Sequence, residues 1–261
     1  MEITGLIPAG GLAERLGKLP CSKEILPYVD DSGRITVISA NLIRYYRLAG
    51  IRNTCFIVRK EKKDIQAYFG NGSAHGVNIT FLPMKVPYGT PFTLNDAYPL
   101  VRNKIVALGF PDILFQPENA FGMLKDRFLK SADTVILGVV PCKNSISSDM
   151  IEFNPDKTIS DIIIKQNRPD LKYGWFIAMW KPAFTDYMKR FLKQLLKQQP
   201  EGKIRSDDGK LRELYVGDVI RHAMTDGLKT GYLLFETGFF ADAGTPEGLK
   251  NLLRFGSCVE K

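Results

Sequence analysis

Pro8-Ala9-Gly10-Gly11-Leu12-Ala13-Glu14-Arg15-Leu16-Gly17-Lys18 continues directly from the apolar run that begins at Ile3, and Ser22-Lys23-Glu24-Ile25-Leu26-Pro27 comes just after it. The apolar run reads as a buried strand that passes into a loop at Pro8-Ala9-Gly10-Gly11. Paired glycines let the backbone approach a bulky anion and present N–H groups to it. Arg15 adds a fork of donors suited to phosphate oxygens, and Lys23 a movable point charge. Two better-known phosphate motifs do not fit. The P-loop requires G-x-x-x-x-G-K-[ST], but five residues separate Gly11 from Gly17, and Leu19 follows Lys18. The dinucleotide fingerprint requires G-x-G-x-x-G, which Gly10-Gly11-Leu12 does not supply.

Outward from this loop, apolar runs alternate with helical patterns. Val37 to Leu48 places Val37, Ile38, Leu42, Tyr45 and Tyr46 near one helical stripe that Gly50 stops. Strands are predicted at Cys55 to Val58, Val77 to Leu82, Ile105 to Leu108 and Thr134 to Val140. Helices are predicted at Lys60 to Phe69 and Ala120 to Lys130, with weaker helical character from Thr90 to Tyr98. This rhythm predicts an α/β fold with a doubly wound, mostly parallel central sheet covered on both faces. From about Met150 the rhythm changes. Ile151 to Phe153, Thr158 to Lys165 and Trp175 to Trp180 read as successive strands, an inserted antiparallel sub-region expected at the sheet edge. Pro182 to Gln198 and Val216 to Thr225 read as helices, Thr230 to Phe235 as a strand, and Pro246 to Arg254 as a closing helix capped by Thr245. A single domain over 1–261 is expected, in two halves, 1–142 and 143–261.

Bulk properties narrow the classes. The chain has 261 residues, 44% hydrophobic and 25% charged, which suits a globular protein with a sizeable core. No apolar run approaches the ~20 residues of a membrane span, and the first residues lack the layout of a signal peptide. The four cysteines, Cys21, Cys55, Cys142 and Cys258, form no C-x-x-C pair, so a reducing cytoplasm is the expected location. With only His75 and His222, a zinc site or a Ser-His-Asp machine is not expected. The net charge of +8 suits an anionic partner, with much of the excess between Lys189 and Arg212. That stretch reads as a solvated helix face running into a loop. After Phe191 no aromatic residue interleaves with its charges, so neither nucleic acid nor a membrane is expected as partner.

Two further segments fall where an α/β sheet places its ligands, outside the carboxyl ends of strands. Asp112 follows the strand Ile105 to Leu108, and Asp242 lies in Phe239-Phe240-Ala241-Asp242-Ala243-Gly244-Thr245-Pro246-Glu247. Each alone reads equally as a turn aspartate. Together they could converge on one Mg²⁺, which takes one or two carboxylates plus substrate phosphates.

The three segments resemble the sugar-nucleotide pyrophosphorylases, nucleotidyltransferases typified by glucose-1-phosphate thymidylyltransferase and its uridylyl and mannose guanylyl relatives. Ala9, Gly10, Gly11, Arg15 and Leu16 match the family's A-G-G-x-G-T-R-L, and Lys23, Leu26 and Pro27 its P-K-x-x-L-P. Tyr88-Gly89-Thr90-Pro91 is similar to the family's L-G-T-A, which lies against the base. Gly109 to Asp112 is similar to its G-D strand end, and Lys165 to the lysine of its E-K-P. Asp242, Gly244, Thr245, Pro246 and Glu247 match its D-x-G-T-P-E. The resemblance runs in order over nearly the whole chain.

The resemblance implies transfer of a nucleotidyl group from an NTP, with pyrimidine preferred, to a sugar 1-phosphate. Mg²⁺ would sit on Asp112 and Asp242, and Arg15 and Lys23 would act on the phosphates. Ala9, Gly10, Gly11, Tyr88, Gly89 and Thr90 would bind the nucleotide, and Lys165 and Gly174 the sugar phosphate, so that 1–142 would be the nucleotide-binding half and 143–261 the sugar-phosphate-binding half. Relatives often form dimers or tetramers, so a homo-oligomer is implied as well. The departures are also specific. Ala13-Glu14 replaces Gly-Thr, Ser22 replaces the proline before Lys23, and Ile164 and Gln166 replace the residues flanking Lys165. The glutamate missing at Ile164 holds sugar hydroxyls in the family. Trp175 reads either as a stacking wall for the acceptor or as a packed core aromatic, the latter being the expected one. A non-catalytic relative that senses a sugar nucleotide and a nicotinamide-binding oxidoreductase are the competing readings.

Overall fold

The computed structural model describes residues 1–30, 32–207 and 209–255; Cys258 lies outside the described residues. In chain order the first half contains β1 (Ile3–Ala9), β2 (Pro27–Val29), β3 (Ile35–Val37), α1 (Ile38–Leu48), β4 (Asn53–Val58), α2 (Lys63–Phe69), β5 (Asn78–Pro83), α3 (Thr90–Asp96), α4 (Tyr98–Val101) and β6 (Ile105–Leu108). The apolar run that opens the chain becomes the middle of a parallel array, because β1 pairs with β4 on one side and β6 on the other, and β5 extends it beyond β4. A strand buried on both faces needs such a continuous apolar run rather than an alternating one.

The chain continues with β7 (Ile113–Gln116), α5 (Ala120–Leu129), β8 (Val135–Pro141), β9 (Asp149–Phe153), β10 (Ile159–Ile164), β11 (Tyr173–Trp180), α6 (Pro182–Gln198), β12 (Ile204–Arg205), β13 (Leu211–Arg212), α7 (Val216–Thr225), β14 (Thr230–Leu234), β15 (Phe239–Asp242) and α8 (Pro246–Phe255). One nine-stranded sheet carries strands from both halves in the order β10-β9-β11-β6-β1-β4-β5, with β8 joining β11 to β14. The antiparallel insertion is not confined to the edge, as the sequence predicts. β9 and β10 do lie there, but β11 runs antiparallel to both β6 and β8 in the interior. The reason is its composition: Tyr-Gly-Trp-Phe-Ile-Ala-Met-Trp has no polar face to offer solvent, and seven of its eight residues are buried.

Two cores sandwich this sheet. One gathers Phe92 of α3, Phe184 and Leu192 of α6 and Val219 of α7, and the other Leu42 of α1, Ile65 of α2 and Phe121 of α5. The mixed, mostly parallel sheet with helices on both faces is the α/β class expected from the sequence. Among the described residues no helix is long and apolar enough to cross a membrane.

Candidate functional site

A cleft opens at the carboxyl ends of β1, β4, β5 and β6, and it has two compartments. The first, about 400 Å³, is bordered by Gly10, Gly11, Ala13, Glu14, Arg15 and Lys23 from the loop after β1, with Arg59, Gly89, Thr90 and Glu213 facing them. The second, about 260 Å³, is bordered by Asp112, Asp242, Asp149, Lys165, Trp175 and Tyr215, among others. Arg15 and Thr90 belong to both, so the compartments meet there.

The glycine loop does not do what its spacing suggests. Neither Gly10 nor Gly11 takes a positive φ; the left-handed residue is Ala13, at φ 58° and ψ 30°. That conformation costs an L-residue roughly 1–2 kcal/mol, and it is held here at the start of the short 3-10 turn Glu14–Leu16. Gly10 is held instead by its carbonyl, which accepts from Arg59 Nε at 2.7 Å. Gly89 is the position where glycine is obligatory. Its φ is 111°, and a Cβ would lie 2.5 Å from the Leu214 carbonyl.

Lys23 sits in the 3-10 turn Lys23–Ile25, which two anchors fasten to α2 and the residue before it. Ser22 donates through both its N–H and its hydroxyl to Asp64, at 2.7 and 2.8 Å. Serine in place of proline thus gains two hydrogen bonds that proline could not make. Glu24, fully buried, pairs with Lys62 at 2.7 Å, and burial raises its pKa against the pull of Lys62. Held this way, Lys23 Nζ reaches Asp112 Oδ2 at 2.5 Å. Burial works against the Lys23 charge, but Asp112, with Glu24 and Asp242 behind it, keeps its pKa above that of an ordinary lysine.

Asp112 and Asp242 arrive from adjacent strands, since β7 and β15 pair with Ile113 opposite Asp242. Gly244 shows how closely they converge. A Cβ there would lie 2.8 Å from Asp112 Oδ2, 2.8 Å from Asp242 Oδ1 and 3.3 Å from Lys23 Nζ. Burial and the neighbouring Asp112 raise the pKa of Asp242, opposed by the Gly244 amide, Arg15 and Lys23. Arg15 Nη2 lies 3.8 Å from Asp242 Oδ2, and its side chain, 61% exposed, borders both compartments. Among the described residues no group of three or more His, Cys, Asp or Glu side chains could hold a metal. Two carboxylates around a cradle that one methyl would fill suit a magnesium ion that completes its shell from phosphate and water.

Lys165, left-handed at φ 47°, follows β10 and lays its Nζ 3.6 Å from the centre of the Tyr215 ring. Burial pulls its pKa below that of an ordinary lysine, with Asp149 and Glu213 opposing. Tyr215 is fixed in turn: its N–H donates to Asp218, which also takes two 2.7 Å bonds from Arg212.

Of the residues singled out from sequence, Gly10, Gly11, Arg15, Lys23, Gly89, Thr90, Asp112, Lys165 and Asp242 line the two compartments. Ala9, Tyr88 and Gly174 do not line them. Ala9 is buried at the end of β1, and Tyr88 packs edge-on to Phe92 at 5.6 Å and over Gly202. Gly174 pairs with Val140 and Met150 within the sheet. Trp175 is the packed core aromatic that was expected, and one edge of it also faces a cavity. It is 6% exposed and packs 6.0 Å from Phe110, yet it borders the second compartment.

Asp149, Arg59, Glu213 and Tyr215 were not legible as site residues. Asp149 stands directly opposite Ile164 in the β9–β10 ladder, so the two side chains share one face of the sheet, and the Asp149 carboxylate borders the second compartment from the partner strand. Burial pushes its pKa up to about 6, against Lys165 and with Asp218 adding to the rise.

No family model matches the sequence, and no curated protein sequence matches it. Solved structures do. A protein from Bacillus anthracis described as a glucose-1-phosphate thymidylyltransferase, in complex with a sucrose, aligns at TM-score 0.80 and 19% identity over 99% of this chain and 97% of that one. The UTP-bound UGPase from Acinetobacter baumannii aligns at TM-score 0.75 and 16% identity over 100% and 95% of the two chains. A UDP-glucose pyrophosphorylase complexed with UDP-glucose aligns at 0.76 and 16% over 98% of each. The chain has the fold of the sugar-nucleotide pyrophosphorylases.

Proposed function

We propose that the protein is a nucleotidyltransferase that joins an NTP to a sugar 1-phosphate and releases pyrophosphate, with a pyrimidine nucleotide preferred. The observation that carries this reading is the meeting of two compartments at Arg15, Lys23, Asp112 and Asp242. One is a glycine-loop cavity of phosphate-binding character, the other holds a lysine for a second anion. Two of the structural neighbours carry a uridine nucleotide, UTP and UDP-glucose, which supports the pyrimidine preference.

In this reaction an oxygen of the sugar 1-phosphate attacks the α-phosphorus in line, and the bridging P–O bond to the β-phosphate breaks with its electron pair leaving on pyrophosphate. Catalysis is then mostly positioning and charge neutralisation. Lys23 neutralises charge on the α-phosphate, and Arg15 stabilises the departing pyrophosphate. Lys165 brings the second anion in against Coulomb repulsion. Asp112 and Asp242 would hold Mg²⁺, which supplies Lewis acidity and a template for the two phosphates. A homo-oligomer in the cytoplasm is the accompanying expectation.

The test is a panel of NTPs against sugar 1-phosphates, read as Mg²⁺-dependent pyrophosphate release. Release with at least one pair supports transfer. Binding of a sugar nucleotide with no release from any pair would turn the reading towards a sensor.

A further inference from the structure

Lys23 Nζ stands where the two carboxylates converge. It donates to Asp112 Oδ2 at 2.5 Å and lies 3.3 Å from the point that a Cβ on Gly244 would take, a point 2.8 Å from an oxygen of each carboxylate. The ammonium thus stands at the cradle given above to Mg²⁺. Lys23 and Asp112 are both largely buried. An ionised carboxylate in such a place is costly unless a cation accompanies it. Arg15 comes no nearer than 3.8 Å to Asp242 through a mostly exposed side chain, where solvent screens it. Lys23 is therefore the close counter-charge that the chain itself supplies.

The same side chain has another place to go. Ser22 and Glu24, on either side of it, are fastened to Asp64 and Lys62, so the backbone of Lys23 is fixed and only its four-carbon stem turns. Its Nζ is 3.7 Å from the point that a Cβ on Gly11 would take, so the glycine loop lies within a short swing. Lys23 borders the first compartment, whereas Asp112 and Asp242 border the second. A phosphate in the first compartment would compete with Asp112 for the ammonium.

We infer that Lys23 is a tethered counter-ion of the metal cradle: in the free protein its ammonium takes the ion's place beside Asp112, and Mg²⁺ seats there only as Lys23 withdraws towards the glycine loop. The inference rests on the metal role given above to Asp112 and Asp242. Two cations against one buried carboxylate repel each other strongly, because little water lies between them. No proton moves and no covalent bond changes; the ammonium keeps its charge and changes partner. Neutralising Lys23 should therefore tighten the metal, although it removes a residue from the site. A lysine that only braced the loop would slacken the cradle when lost.

Metal binding tests this without nucleotide or acceptor. Mn²⁺ serves as the probe, and its free concentration is read by electron paramagnetic resonance. Lys23→Gln, which keeps a donor and removes the charge, should bind Mn²⁺ at least about tenfold more tightly than the wild type. Lys23→Arg, which keeps the charge, should not. Asp112→Asn added to Lys23→Gln should abolish the gain and so place the ion on the cradle. In the wild type, saturating Mg²⁺ should speed the labelling of Lys23 by an amine-reactive reagent severalfold, read by mass spectrometry. That measurement decides the matter if Lys23→Gln does not fold. Unchanged or weaker Mn²⁺ binding by folded Lys23→Gln, an equal gain in Lys23→Arg, a gain that survives Asp112→Asn, or labelling indifferent to Mg²⁺ would each overturn the inference. Mn²⁺ that behaves as described, in a protein that gives no pyrophosphate with any NTP, would defeat the transfer reading alone.

Discussion

Lys23 Nζ donates to Asp112 Oδ2 across 2.5 Å, tying the loop after the first strand to the loop after β6. Both side chains are largely buried, at 13% and 15% exposure, so the pair works in a low-dielectric setting. Asp112→Asn keeps an oxygen that can accept from Lys23 and removes the charge. Pyrophosphate release should fall by about 10²-fold or more, with a stability change within about 2 kcal/mol. Normal Mg²⁺-dependent turnover in a folded Asp112→Asn chain would refute the metal role.

Gly244 offers an independent check on the same point. Its backbone is not left-handed, so alanine meets no conformational strain there, only the two carboxylate oxygens and Lys23. Gly244→Ala should unfold at nearly the wild-type temperature and lose most Mg²⁺-dependent activity. Retention of full activity would mean that the cradle is not where the ion binds.

Ala13 predicts a gain. Its left-handed backbone suits glycine, which carries no Cβ penalty there. Ala13→Gly should raise stability by about 0.5–1 kcal/mol, after the loss of unfolded-state restraint is subtracted. Chemical denaturation measures it, and a destabilised variant would show that the turn is not strained.

Asp149 predicts a pH-dependent penalty. Its folded pKa, about 6, lies above that of an ordinary aspartate, so the folded state holds the proton more tightly than the unfolded state. Stability from this group is greatest below about pH 4, falls as pH rises towards 6, and is level above that. The residue as a whole is half-buried, so the penalty falls short of the roughly 3 kcal/mol that such a shift carries in a closed site. Asp149→Asn should therefore melt with the wild type at pH 4 and be more stable at pH 8 by on the order of 1–2 kcal/mol. Equal melting at both values would contradict the buried-carboxylate account.

The sheet was readable because its strands are continuous apolar runs punctuated by glycine and proline, and the helices because α1, α6 and α7 keep their apolar residues on one side. The pairings Pro27–Val29 with Ile35–Val37 and Ile113–Gln116 with Phe239–Asp242 were not readable. They are three or four residues long, too short to show a period, and the second joins segments more than a hundred residues apart, which no local pattern records. The site divides the same way. Arg15, Lys23 and Asp242 sit in motifs that carry their own chemistry. Asp149, in Ser-Ser-Asp before a strand, looks like any turn until the strand beside it shows Ile164 across the ladder. Gly174 was named for its place in the chain; it pairs with Val140 and Met150 within the sheet and borders neither compartment.

Arg212 to Tyr215 forms a strap whose Glu213 faces one compartment and whose Tyr215 faces the other, with Leu214 pressed against Gly89 between them. Under the proposed function, nucleotide and acceptor would share a wall only a few residues thick. If one of them displaces that wall and so alters affinity for the other, thermodynamic reciprocity requires the same factor in both directions. Affinities for nucleotide and acceptor therefore have to be stated with the partner's concentration, as a pair of numbers rather than two independent ones.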